Sequence, residues 1–446
     1  MASTDRSHTA DQFAKLGAPT SVAESADRKS PQCQFGPPIA KSTAPMEYDT
    51  WRKLLRDERL PAVVVDLNAF DRNVAYFASV LKQAGHGHRL RLATKSVRVP
   101  ELIARVLAYG PPYCGLMCYS AEEAVFLADL GFDDLLIAYP TRQESDLRIL
   151  REAHARGRRI RLMIDSVDGA EVLSKAMNGL ATPFPVTLDV DMSLRFFWGK
   201  VHLGVRRSPL RSAQEVLNVF ERISAMPGIE PIGLMGYEAQ VAGLGDSNPF
   251  KGMANPMVRW VRRRSIRAVA DQRRAIAETL TERGFSIEIF NGGGTGSAPH
   301  AVHEPWLTEL TVGSGFLCSH LFSYYSDVPI EPACFFALQT VRSSDPGYVT
   351  CHGGGYIASG EPGWEKVPVP HLPLGVRLVS MEGCGEVQTP LIVEKNSPLK
   401  MGDPVLFRHA KAGELAEHFN DYLLFSNGQV LGRVPTYRGL GYSFLG

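Results

Sequence analysis

The chain has no run of about 18 consecutive apolar residues, so nothing in it reads as a membrane span. Its first residues, Met1 to Ala10, are polar and do not read as a secretion signal. Seven cysteines, Cys33, Cys114, Cys118, Cys318, Cys334, Cys351 and Cys384, are scattered, odd in number and without CxxC pairs. That argues against a disulfide framework and for reduced, mostly buried thiols. Charge of one sign is not in excess either: 48 Lys and Arg stand against 47 Asp and Glu, for a net charge of +1. No electrostatic reason remains to expect nucleic acid or an anionic membrane as partner. A Gly-rich turn after the first strand, which a dinucleotide-binding sheet needs, is also missing. The expectation is a cytoplasmic protein that handles small molecules.

What is present is enough for two domains: 446 residues, 44% hydrophobic and 21% charged. Residues 1–45 are rich in Ser, Ala, Pro, Asp and Lys and poor in hydrophobic periodicity, which predicts a disordered tail. A short helix over 48–56 leads into a β-branched strand at 61–67, and 68–82 has the pattern of an amphipathic helix. Strand patterns recur at 89–95, 113–119, 134–139, 159–165, 184–191, 230–237, 285–291 and 308–314. Helical stretches near 121–130, 143–156, 167–177, 209–226 and 258–284 separate most of them. Eight short apolar strands alternating with helices predict a parallel (β/α)₈ barrel of TIM type, an α/β fold, over 46–331. After about Pro332 the alternation changes to 334–341, 348–352, 377–381, 386–394, 404–407 and 422–434, broken by Gly and Pro. This predicts a C-terminal antiparallel β domain over 332–446, with a ligand cleft at its junction with the barrel mouth.

Lys95 ends the first barrel strand, in Thr94-Lys95-Ser96-Val97, with Pro100 suited to the first turn of the next helix. A lysine at the C-terminal end of a barrel strand faces the active site, where it can lose its proton and attack a carbonyl. Gly292-Gly293-Gly294-Thr295-Gly296-Ser297 follows a strand in the last quarter of the barrel, and Gly313-Ser314-Gly315 follows the next. Glycines let backbone N–H groups wrap an anion and hydroxyls add donors, and loops after the last two barrel strands often hold a phosphate.

These three stretches fall in the order and rough spacing of fold-type III pyridoxal phosphate enzymes. From about Pro61 to the C-terminus the chain resembles the D-threonine aldolase and D-serine dehydratase branch of the alanine racemase-like family. The resemblance implies a pyridoxal 5′-phosphate cofactor joined to Lys95 as a Schiff base, with its phosphate on Gly293, Gly294, Thr295, Gly296, Gly313 and Ser314. It implies a lyase acting on small β-hydroxy-D-amino acids by aldol cleavage and its reverse, with a D-amino acid dehydratase or a racemase as alternatives. A non-catalytic pyridoxal phosphate carrier is the alternative from another class, against which the C-terminal β domain weighs. The substrates are a small amino acid and an aldehyde, and a homodimer is implied. The leading strand 61–67, one more than the barrel needs, is assigned by the resemblance to the C-terminal domain. Tyr237, in Gly236-Tyr237-Glu238, and Arg195 match strand-end positions near the cofactor, with Arg206 competing for the role of Arg195.

One departure stands out. The branch carries a His-x-Asp or His-x-Cys metal pair near the C-terminus, and the matching place here is Lys411-Ala412-Gly413. Neither an ammonium nor a glycine is an ordinary metal ligand. In one reading the Lys411 ammonium takes the place of the metal; in another a divalent metal persists through Glu414, Glu417, His418 or Asp421; in a third, Lys411 and Glu414 are a local ion pair. The metal-free reading is favoured. His409 shares a strand face with Lys411, and His320 and His352 are expected near the mouth as structural histidines. The seven arginines of 258–274 are expected on a solvated outer face.

Overall fold

The computed structural model describes residues 31, 33–39, 45–196 and 200–445. Most of the expected tail lies outside the described residues. Its segment 33–39, however, is fastened to the barrel. The Ile39 N–H donates to Asp71 (2.9 Å), and Arg105, paired with Asp71, donates to the carbonyls of Phe35 and Gly36 (3.0 and 2.8 Å).

Eight parallel strands close on themselves in the order Ile289–Gly292, Glu309–Val312, Arg89–Ala93, Tyr113–Cys118, Leu135–Ile137, Ile160–Ile164, Phe184–Asp189 and Ile229–Gly236. Leu90 and Leu92 turn outward under the helices and are fully buried there, while Arg91 turns inward. Inside the barrel Arg91 pairs with Glu309 (2.7 Å) and Asp134 (3.1 Å), and Asn291 Nδ2 donates to Glu309 and to Thr311 (2.8 Å each). Above this polar floor lies a small apolar layer of Leu136, Met163 and Met235. The helix Leu67–Ala84 begins where Asp66 accepts from the N–H of Asn68 and ends at Gly85, whose φ of +75° is easy only for glycine.

The second sheet is built on Cys334–Arg342, which pairs antiparallel with Pro404–Arg408, Tyr348–His352 and the leading strand Ala62–Asp66. That leading strand also runs parallel to Asp421–Ser426, so it stands in the C-terminal sheet and not in the barrel. In this sheet two elements differ from the sequence reading. The single alternation read over 422–434 is a hairpin, Asp421–Ser426 and Gln429–Pro435, turning at Asn427 and Gly428, both with positive φ. The strand Val369–Leu372 carries Pro370 and gave no strand pattern. Among the described residues no helix is long and apolar enough to cross a membrane.

Candidate active site

Lys95 sits two residues past the end of its strand, in the turn Thr94–Ser96. The strand stops at Ala93 because Thr94 turns its hydroxyl to the Met117 carbonyl (2.9 Å) and its own carbonyl accepts from the Val97 and Arg98 N–H groups (2.9 and 3.0 Å). Arg98 then takes φ of +53° and returns its Nε to the Lys95 carbonyl (3.1 Å). The exposed Lys95 ammonium donates to the Tyr139 hydroxyl at 2.8 Å.

The two glycine-hydroxyl turns close on this lysine. Ser314 Oγ donates to Ser96 Oγ (2.9 Å), and the Gly315 N–H donates to Thr295 Oγ1 (3.0 Å). A Cβ on Gly313 would lie 2.7 Å from the Ala93 carbonyl oxygen, and one on Gly294 would lie 2.7 Å from Ala242 Cβ and 3.2 Å from the Tyr237 ring. Only glycine lets these strand ends approach so closely. Gly293 adopts φ of +76°, and its N–H and the Ser297 hydroxyl both donate to Glu238 (3.2 and 2.6 Å). Glu238 is itself paired with the fully buried Arg273. Arg262 Nη2 donates to the Gly296 carbonyl (2.7 Å) and to Asp327 (2.9 Å). Arg262 and Arg273, about three helical turns apart, are therefore buried supports of the loop and not part of a solvated face.

Arg207 is a second cation against Tyr139: its guanidinium carbon lies 5.5 Å from the centre of the Tyr139 ring and 5.6 Å from that of Tyr237. Arg195 instead binds Asp191 (2.5 Å) and Ser193 (3.3 Å). Burial pushes the Tyr237 phenol up to about 12. Burial pushes Asp189, at the end of its barrel strand, up to about 7: Arg207 draws it down, and Asp165 and Asp191 push it further up. Burial also raises the Tyr139 phenol, but the charge and hydrogen bond of Lys95 together with the charge of Arg207 outweigh it, so this phenol ionises below its ordinary value.

The C-terminal segment reaches the lysine turn directly, since a Cβ on Gly413 would lie 1.7 Å from the Lys95 carbonyl oxygen. Lys411 is paired with Glu414 (2.9 Å) and donates to Ser359 (2.9 Å). Glu417 pairs with Arg98, Asp421 with Arg433 (2.5 Å), and His418 packs against Tyr356. Among the described residues no group of three or more His, Cys, Asp or Glu is arranged to hold a metal ion. His320 is buried and bonded to Tyr324 and to the Val367 carbonyl, and His352 is exposed at a strand end. His409 is buried with neither ring nitrogen bonded among the described residues.

Tyr139, Arg207, Glu238, Arg262 and Arg273 were not singled out by sequence reasoning. The only signal for Tyr139 was its position just past a barrel strand, the same position that marked Lys95.

Residues 65–315 match the family described as "Alanine racemase, N-terminal domain". The 3-hydroxy-D-aspartate aldolase of Paracoccus denitrificans (strain Pd 1222) is 22% identical over 255 residues, which are 57% of this chain and 59% of that protein. The match thus spans less than two thirds of that relative's length. The crystal structure of D-threonine aldolase from Filomicrobium marinum superposes with a TM-score of 0.73 at 22% identity, over 87% of this chain and 97% of that one. D-threo-3-hydroxyaspartate dehydratase from Delftia sp. HT23 superposes with a TM-score of 0.67 at 18% identity, over 86% of this chain and 98% of that one.

Proposed function

The chain belongs to the alanine racemase N-terminal domain family, and from that premise we propose that it is a pyridoxal phosphate-dependent lyase. Its reaction is the cleavage of small β-hydroxy-D-amino acids to glycine, or a related amino acid, and an aldehyde, together with the reverse addition. The observation that carries this reading is the meeting at the barrel mouth of one lysine and two glycine-hydroxyl turns, tied together through Ser96–Ser314 and Thr295–Gly315.

The donor set suits the cofactor. Thr295 Oγ1 accepts from a backbone N–H and keeps its own proton to donate, and Gly293, Gly294, Gly296, Gly313 and Ser314 offer an anion close backbone approach. We assign the phosphate to these six residues and the covalent attachment to Lys95. Tyr237, packed on Gly294, would flank the cofactor ring. Arg195 was expected at the cofactor but is occupied by Asp191, so we give the cation at this edge to Arg207. When bound, the cofactor supplies an electron sink for the pair left on Cα. Arg207, beside a carboxyl that burial raises to about 7 and so leaves only partly ionised near neutral pH, would draw the substrate carboxylate. Lys411, two residues from the glycine that abuts Lys95, would exchange Glu414 and Ser359 for the substrate hydroxyl.

Turnover of D-threonine, D-phenylserine, D-serine and 3-hydroxy-D-aspartate by chelator-treated protein, with and without Mn²⁺, tests this. Glycine or a related amino acid with aldehyde, formed without metal and lost in Lys411→Ala, is the expected result. Activity restored only by metal would overturn the role of Lys411. Ammonia and a keto acid would make the protein a dehydratase, inverted amino acid a racemase, and no turnover with retained cofactor a carrier.

A further inference from the structure

Lys95 must become a nucleophile before it can carry the cofactor, and the role assigned to its neighbour therefore rests on the function proposed for the chain. A lysine ammonium has no lone pair, and an ordinary lysine, with a pKa of about 10.4, is almost wholly ammonium at neutral pH. A group must take its proton. Among the described residues, the hydrogen bond of Lys95 Nζ goes to Tyr139 Oη at 2.8 Å and to no carboxylate.

Tyr139 is built to be ionised more easily than most tyrosines. It stands next to the apolar layer of Leu136, Met163 and Met235 at the top of the barrel interior. The groups that face it come from four strand ends. Lys95 follows Arg89–Ala93 and Arg207 follows Val201–Leu203, and both are cations. Asp189 ends Phe184–Asp189, and Tyr237 follows Ile229–Gly236 with its phenol pushed up to about 12. Asp189 is raised to about 7, so near neutral pH it opposes the two cations only in part. Arg207 makes no hydrogen bond or close ion pair among the described residues, so only the partly protonated Asp189 offsets its field at the Tyr139 ring. The two cations therefore stabilise a phenolate within hydrogen-bond reach of the amine.

We infer that Tyr139 is the proton acceptor that frees the Lys95 amine. The proton on Nζ passes along the hydrogen bond to the ionised Oη, which turns an ammonium and a phenolate into an amine and a phenol with no change in total charge. The electron pair left on Nζ is what condensation with an aldehyde requires, the aldehyde oxygen leaving as water. Arg207 keeps its charge throughout, and its field favours return of the phenolate once the phenol has released the transferred proton to solvent.

The test measures cofactor uptake by the full-length chain after its cofactor has been stripped. Pyridoxal phosphate is added from roughly pH 6 to pH 10.5, a range that spans the ordinary lysine value. Uptake is followed by absorbance and by borohydride trapping on the Lys95 peptide. Tyr139→Phe is expected to slow uptake at neutral pH on the order of 10²-fold. The deficit should close as the pH approaches the range in which lysine amines are free without help, and that recovery also shows that the variant is folded. Arg207→Gln is expected to move the rise of the otherwise intact profile to higher pH. A Tyr139→Phe profile that superimposes on the parent's, or lies below it by one constant factor at every pH, would overturn the inference, the second pattern marking a structural role. A parent protein that attaches no cofactor at Lys95 would overturn the functional reading and this inference with it.

Discussion

Replacing Gly413 with alanine should break the contact that joins the C-terminal domain to the Lys95 turn. Gly413 lies in the first turn of the helix Ala412–Ala416 and does not have positive φ. On helix propensity alone the substitution should therefore stabilise, by up to about 1 kcal/mol. The packing reverses the sign. The added Cβ would lie 1.7 Å from the Lys95 carbonyl oxygen and 2.8 Å from the carbonyl carbon, both rigid backbone atoms. Restoring ordinary contact means parting the two backbones by roughly 1.5 Å or more. Overpacking of this kind costs about 3 kcal/mol, at the upper end of its range, because no side chain can swing aside. The Lys95 turn is fixed on its other sides by Thr94–Met117 and Ser96–Ser314, so the helix is the part that moves, carrying Lys411 with it. A displacement of about 1 Å at a reacting centre costs on the order of 10²-fold in rate. Denaturation midpoints and turnover of Gly413→Ala, beside Gly252→Ala as a control with nothing within 4 Å of its new Cβ, would test this. A Gly413→Ala protein as stable and as active as its parent would refute the reasoning.

The same geometry sets three further outcomes. Asp189 has a folded-state value of about 7 against about 3.9 for a free aspartate, so the folded state holds this proton more tightly. Its contribution to stability is full below the unfolded value and is lost as pH rises through about 7, a change on the order of 4 kcal/mol. Asp189→Asn, which copies the neutral acid, should flatten that loss and raise stability above neutral pH; an unchanged pH–stability profile would contradict it. Glu238→Gln removes the charge opposite Arg273 and turns one of the two oxygens that accept from Gly293, Ser297 and Arg273 into a donor, and should cost about 3 kcal/mol while weakening phosphate-dependent cofactor retention. Equilibrium dialysis at equal cofactor concentration reads that directly. Arg98→Met removes the guanidinium that bonds the Lys95 carbonyl and pairs with Glu417, and should slow cofactor uptake without abolishing folding, as followed by circular dichroism.

How far the sequence could be read depended on how local each signal was. The eight barrel strands and the helix Val167–Met177 were legible because hydrophobic alternation and 3.6-residue periodicity are properties of neighbours in the chain. The glycine-hydroxyl turns were legible for the same reason. Arg262 and Arg273 were not, because seven arginines on one helix look alike until Glu238, Asp327 and the Gly296 carbonyl are brought against two of them. Tyr139 and Arg207 acquire meaning only from each other and from Lys95, across separations that no pattern in the chain records. The cluster Glu417, His418 and Asp421 had plausible helical spacing, yet Arg98 and Arg433 take its carboxylates in different directions. The strand break between 422 and 434 was readable after all from Asn427-Gly428, a dipeptide that favours a tight hairpin turn.

The most direct test of the central claim is to load the purified protein with pyridoxal phosphate, reduce it with borohydride, digest it and locate the pyridoxyl group by mass spectrometry. A single modification on Lys95 is predicted, absent when the same treatment is applied to Lys95→Ala. A label on another lysine, Lys411 included, or no label at all, would contradict it.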